Sequence, residues 1–264
     1  MTSAGTHYLD PRIEGRFIIR TDPHCHILPG LDDGSPDLDM SLRMARRMAL
    51  AGIENAIASP HGIHPGIETN VDPDFLREQV HLLNQAIRSE GIPLTVYPGT
   101  EIFLRGRVRQ IFDEGKLMTW ADQGKFILVE LGFQRHSTRT LEVIDHFIEA
   151  GLIPIIAHPE RYGWLPEEPE LFEELRDRGC VFQFNSMSIG GFFGPRIQSL
   201  ALRLIPAAGH FIIGTDSHHD SERYFGLAQI RSILADLGLQ NSDGGFGGMP
   251  AAPLPSIKDL SPAR

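Results

Sequence analysis

A chain of 264 residues and 29.3 kDa, 41% hydrophobic and 22% charged, can bury one large core unaided and is too apolar to be disordered. The formal net charge of −10, relieved only by the short clusters Arg43/Arg46/Arg47 and Arg105/Arg107/Arg109, argues against a nucleic-acid-binding surface, and any phosphate substrate would need a local positive centre. Two cysteines (Cys25, Cys180), no signal-like stretch in residues 1–12 and no apolar run near the ~18 residues of a membrane span lead to the expectation of a cytoplasmic protein without membrane insertion.

Residues 1–16 show no periodicity and read as an N-terminal extension. Short runs rich in β-branched and aromatic residues over 17–21, 55–59, 94–98, 126–130, 153–157, 181–184 and 211–215 predict buried parallel strands. They alternate with amphipathic stretches over 36–51, 72–90, 105–114, 138–150, 167–178, 196–207 and 221–237, which predict helices. Ser35-Pro36 followed by Asp37 and Asp39 marks the first helix start, and Gly52, Gly91, Gly151, Gly179 and Gly238 mark helix ends. Residues 240–264, rich in Gly, Pro, Ser and Ala, read as a flexible tail. About seven β–α units within one domain, 17–239, predict an α/β fold: a distorted (β/α)7 TIM-like barrel, with a doubly wound open sheet as the alternative.

Polar residues follow the apolar runs. After the first come Asp22-Pro-His24-Cys-His26 and Asp32-Asp33-Gly34; after the second, His61; after the third, Glu101. The fourth ends on Glu130, the fifth leads into His158-Pro-Glu-Arg161-Tyr162, and the last into Asp216-Ser-His218. In barrels and parallel sheets the strand C-termini form one face where ligands bind. A lone His or Asp at such a place is usually an ordinary satisfied polar residue, and Asp33 before Gly34 is also a good turn pair. Six strand ends delivering nitrogen and oxygen donors to one face instead indicate divalent metal. His64, His81, His136, His146 and His210 have no such placement.

The segments 22–34, Ser59-Pro-His61, Gly99-Thr-Glu-Ile102, Val129-Glu-Leu131, Ala157-His-Pro-Glu-Arg-Tyr162 and Gly214-Thr-Asp-Ser-His218 resemble the bacterial PHP (polymerase and histidinol phosphatase) type protein-tyrosine phosphatases, over residues 18 to 237. That resemblance implies the PHP fold and manganese-dependent enzymes of capsular and exopolysaccharide synthesis. It implies three divalent ions, Mn²⁺ first and Fe or Zn as alternatives. One is held by His24, His26, Glu101 and Asp216, a second by Glu101, Glu130 and His158, and a third by Asp33, His61 and His218. It implies catalytic help from Arg161, and makes Arg223 the candidate phosphate contact. The expected substrate is a phosphotyrosine protein such as a bacterial polysaccharide-synthesis tyrosine kinase, hydrolysed by metal-activated hydroxide. The family's oligomerisation motif is not recognisable in 37–43, which leaves the oligomeric state open.

Rival chemistries lack their residues. A cysteine-nucleophile phosphatase needs Arg six positions after its Cys, where this chain has Leu31 and Ser186. An aspartyl-nucleophile phosphatase fails at Asp37-Leu-Asp39-Met-Ser41, and neither a P-loop nor a Gly-x-Ser-x-Gly elbow is present. The remaining alternatives are a small-molecule phosphatase acting on a substrate such as histidinol phosphate, and a non-catalytic metal-binding regulatory protein.

Overall fold

The computed structural model describes residues 20–64, 71–220, Ile230 and Ile233. Nine strands lie among them: β1 Thr21–Cys25, β2 Asn55–Ala58, β3 His61–Ile63, β4 Thr95–Tyr97, β5 Glu101–Phe103, β6 Phe126–Glu130, β7 Ile153–Ala157, β8 Val181–Asn185 and β9 Phe211–Gly214. The helices are α1 Leu38–Leu50, α2 Pro73–Ser89, α3 Val108–Asp113, α4 Thr140–Glu149, α5 Pro169–Asp177, α6 Ser186–Ile189 and α7 Pro195–Ala207. All ladders are parallel, in two sheets ordered β1-β2-β4 and β3-β5-β6-β7-β8-β9.

The nine strands make seven staves. β2 breaks at Ser59-Pro60 and resumes as β3, and β4 breaks at Pro98-Gly99-Thr100 and resumes as β5. A proline has no N–H for the ladder, so each apolar run yields two short strands that pair in different sheets. The sequence reading treated His61 and Glu101 as residues beyond their strands; they instead open β3 and β5, paired with each other. The first and last staves meet through the Cys25–Ser217 bridge and two backbone bonds, His26 N to Ser217 O (2.9 Å) and Asp216 N to His24 O (2.8 Å). This is the distorted seven-unit α/β arrangement expected from the β–α count.

The first strand sits at 21–25, not 17–21, and residues 17–19 lie outside the described part. Apolar content drew the reading toward Phe17-Ile-Ile, whereas the actual strand carries buried Asp22 and His24. Asp22 accepts from Thr215 N (3.0 Å) and from the Thr215 hydroxyl (2.5 Å). α1 starts two residues later than expected because Asp37 is its cap, accepting from Met40 N at 2.8 Å. Gly151 and Gly179 end α4 and α5 at φ 85° and 81°. α6 was not expected, and α3 is shorter than the 105–114 stretch. The helix expected over 221–237, including Arg223, lies outside the described residues apart from Ile230 and Ile233.

Strand alternation separates two cores. Ile127, Val129, Ile156, Phe182, Phe184 and Ile213 pack outward with the helices. Phe126, Leu128, Ile155, Ala157, Val181 and Ile212 gather with Ile57 and Trp120 into a separate inner plug. Continuing the inner period toward the C-terminal ends brings Glu130 on β6, and Gln183 and Asn185 on β8. The polar site thus rests on an apolar floor. None of the described helices is long and apolar enough to cross a membrane.

Candidate metal centre

Above that floor the structure brings His24, His26, Asp33, His61, Glu101, Glu130, His158, Asp216 and His218 together. Four overlapping groups hold their donor atoms within 4.8 Å of one another: His26/Asp33/His61/His218, His24/His26/Glu101, Glu101/Glu130/His158 and His61/His64/Glu130. Glu101 is central. Its Oε2 lies 3.4 Å from His24 Nε2, 3.5 Å from His26 Nε2 and 3.1 Å from His61 Nδ1, while its Oε1 is 3.0 Å from His158 Nε2. Asp216 Oδ1 is 3.6 Å from His24 Nε2 and 3.4 Å from His26 Nε2, and those two nitrogens are 3.2 Å apart. Asp33 Oδ1 stands 3.4 Å from His61 Nε2 and 3.5 Å from His218 Nε2. Neighbouring ligands of an ion bound at about 2.0–2.2 Å are themselves roughly 3–3.5 Å apart, so the spacing suits shared cations.

Electrostatics make the same demand. Glu101 and Glu130 are 1% and 2% exposed, and among the described residues Glu101 Oε2 and Glu130 Oε2 accept no hydrogen bond. A buried carboxylate oxygen without a donor costs several kcal/mol of desolvation, of order the ion-burial penalty, unless a cation meets it. Burial and the Glu101 charge push the Glu130 carboxyl up to about 9. Burial opposes protonation of His61, yet Asp33 and Glu101 push it up to about 10. These are the marks of an anionic cluster that holds protons where it would otherwise hold metal. Burial lowers His158, which keeps it a neutral donor.

Three of the imidazoles, His24, His26 and His218, are held through Nδ1. His26 Nδ1 donates to Asp32 Oδ2 (2.7 Å) and His218 Nδ1 to Asp216 O (2.9 Å), so each presents Nε2 to the cluster. His24 is fixed by a longer chain. The Asp216 carboxylate only accepts, so Asn185 Nδ2 must face its Oδ2 (2.8 Å). Asn185 Oδ1 then accepts from Gln183 Nε2 (2.9 Å), and Gln183 Oε1 accepts from His24 Nδ1 (2.8 Å). Two β8 side chains therefore tie His24 to Asp216. Gln183→Leu is expected to weaken metal binding about 10- to 100-fold, read by metal titration, with little change in helical circular dichroism. Unaltered affinity would reduce the pair to core filling.

The backbone is strained here. His158 (φ 32°) and Asp216 (φ 51°) occupy the left-handed region that non-glycine residues avoid. The His158 turn is pinned by buried Tyr162, whose hydroxyl donates to Ala157 O (2.6 Å) and accepts from Leu131 N (2.9 Å). Gly34 allows a close approach: a Cβ there would lie 2.4 Å from His26 O.

Arg161 Nη1 donates to Asp216 Oδ2 at 2.8 Å, and its guanidinium lies 4.8 Å from the Phe133 ring and 5.2 Å from the Phe193 ring. Arg223 lies outside the described residues. His64, discounted in the sequence, stacks on His61 (4.3 Å, 22°), with Nε2 3.9 Å from Glu130. It sits at the end of β3, a strand concealed by Pro60. Asp32, Gln183 and Asn185 were also missed. Gln183 and Asn185 do carry a period-two signal, polar residues on an otherwise apolar strand. Burial raises the Cys25 thiol well above its usual range, which denies it thiolate character.

The family model described as "Capsular polysaccharide synthesis, CpsB/CapC" matches residues 20–237. The tyrosine-protein phosphatase YwqE of Bacillus subtilis (strain 168) is 38% identical over 214 residues, 81% of this chain and 83% of that protein. A crystal structure solved among those of YwqE from Bacillus subtilis and CpsB from Streptococcus pneumoniae, unique metal-dependent tyrosine phosphatases, matches with a TM-score of 0.76 and 34% identity, covering 85% of this chain and 88% of that one. The histidinol phosphate phosphatase of Lactococcus lactis shares the fold, with a TM-score of 0.58 and 14% identity over 83% of this chain and 94% of that one.

Proposed function

The chain belongs to the CpsB/CapC capsular polysaccharide synthesis family, and on that footing we propose that it is a metal-dependent protein-tyrosine phosphatase. The observation that carries the reading is Glu101, one buried carboxylate with four imidazoles distributed over its two oxygens. His24, His26, Glu101 and Asp216 would hold one ion; Glu101, Glu130 and His158 a second; Asp33, His61 and His218 a third, with Glu101 shared. Manganese is the expected ion, and iron or zinc also suit such donors. When bound, divalent ions neutralise phosphoryl oxygens and make a water acidic enough to attack phosphorus at neutral pH.

The chain's own residues do the rest. Four carboxylates against five neutral imidazoles leave the cluster at −4, so three divalent ions would make a local positive centre in an acidic protein. Arg161 is 22% exposed and pinned between Asp216 and two rings, so its outer N–H groups are set in advance to meet phosphoryl oxygens. Phe133, 38% exposed, stacks on His158 at 5.5 Å and offers a face for the phenyl ring of phosphotyrosine. The physiological partner in this reading is a phosphotyrosine protein of the cytoplasm, such as a tyrosine kinase of polysaccharide synthesis.

The test is a side-by-side assay of the manganese-loaded protein on a phosphotyrosine peptide and on histidinol phosphate. The expected result is a kcat/KM at least about tenfold higher for the peptide, some 1.4 kcal/mol of transition-state preference. The opposite order would make the chain a small-molecule phosphatase. Inertness toward both with ions bound would leave a metal-binding regulatory protein.

A further inference from the structure

The cluster Arg105/Arg107/Arg109, too short for a nucleic-acid surface, lines a groove. About 550 Å³ in volume, it is lined by residues from the 104–114 segment, among them Arg109 and Asp113, and by Ser137, Arg139, Thr140 and Val143. Four arginines line it against two acids, Asp113 and Glu114, in a chain of net charge −10. Arg109 and Arg139 share Glu142, with contacts at 2.6 Å and 2.7 Å, so one carboxylate answers two guanidinium groups. Among the described residues no carboxylate lies within ion-pair distance of Arg107, whose charge acts on Glu114 from farther off.

The groove adjoins the metal centre. Its walls are the loops that leave the C-terminal ends of β5 and β6, the strands that carry Glu101 and Glu130, together with α3 and α4, which those loops enter. Leu104 N donates to Glu130 O at 2.8 Å, and Arg105 Nη2 to His64 O at 3.3 Å, where His64 stacks on His61. An extended peptide advances about 3.3 Å per residue, so a substrate with its phosphotyrosine at the metals lays residues a few positions away along this groove.

Resting on the phosphatase reading above, we propose that this groove is a substrate-docking site that selects phosphotyrosine segments flanked by acidic residues, whose carboxylates pair with Arg107, Arg109 and Arg139. Guanidinium forks bind carboxylates in a planar two-point fashion, and their exposure suits capture and steering more than tight retention. At about 550 Å³ the groove has room for more than one side chain, which fits a run of carboxylates better than one small anion. It also gives the acidic protein an attractive approach on the side of its active centre.

The experiment compares two phosphotyrosine peptides of equal length, one with Asp/Glu flanks and one with Ser/Gln flanks, together with p-nitrophenyl phosphate, all on the manganese-loaded full chain. The expected result is a kcat/KM about tenfold higher for the acidic peptide at low salt, a preference that shrinks toward unity as salt screens exposed charges. Arg107→Glu should remove most of that preference and Arg107→Lys should retain part of it. Turnover of p-nitrophenyl phosphate should be unchanged in both variants, which also reports that they are folded. Equal rates on the two peptides with p-nitrophenyl phosphate still hydrolysed, or a preference that survives both salt and charge reversal, would overturn the docking site alone. Failure of the loaded wild-type chain on all three substrates would overturn the phosphatase reading and the groove with it.

Discussion

Replacing Glu101 with alanine is expected to lower phosphatase turnover by at least about three orders of magnitude, the scale of losing metal assistance to the attacking water and the phosphoryl group together. The argument is positional. Glu101 Oε2 faces His24, His26 and His61 within 3.5 Å, and Oε1 faces His158 at 3.0 Å, so one truncation withdraws an anionic ligand from adjoining sites. Metal content should fall by at least two ions per chain by elemental analysis. Asp33→Ala should be milder, because that carboxylate is exposed and lies, among the described residues, on the His61 and His218 side of the cluster. The floor beneath the site, Leu128, Ile155 and Val181 with Trp120, does not depend on Glu101, so the variant should keep its far-ultraviolet circular dichroism. A variant that retains its full metal complement and more than a tenth of wild-type turnover would contradict the bridging role.

The parts of this account that were legible in the sequence follow simple periodicities. Buried strands such as 126–130 and 153–157 announce themselves as unbroken apolar runs, and the structure places both at those bounds. The candidate donors were legible because catalytic barrels gather polar groups at strand C-termini. What escaped were the places where tertiary contacts overrule local composition. β1 looks too polar to be a strand, yet Asp22 is satisfied by Thr215 and His24 by Gln183, partners 193 and 159 residues away. β3 and β5 are three residues long and follow prolines, so no window reveals them. His64 gained its place beside His61 from β3, and the Gln183–Asn185 relay exists only because β8 lies beside β7 and β9. Pattern reading finds groups that meet a ligand more readily than groups that hold those groups in place.

Removing the ions altogether should have a still larger effect than any single substitution. Without them, Glu130 pushed up to about 9 and His61 up to about 10 describe a cluster satisfied by protons, in which carboxylates and imidazoles bind one another instead of substrate. Metal binding must release those protons, and ions that bind only the folded chain add RT ln(1 + [L]/Kd) to its stability, so the melting temperature should rise on loading.

The most direct test follows hydrolysis of a phosphotyrosine peptide by the wild-type chain while its metal content is measured, first as purified, then after chelator dialysis, then during titration with Mn²⁺. Turnover is expected to fall below about 0.1% in the stripped protein and to return as manganese refills the sites, levelling near three ions per chain. Full turnover by protein that elemental analysis shows to be free of metal would contradict the claim that these nine side chains work by holding cations.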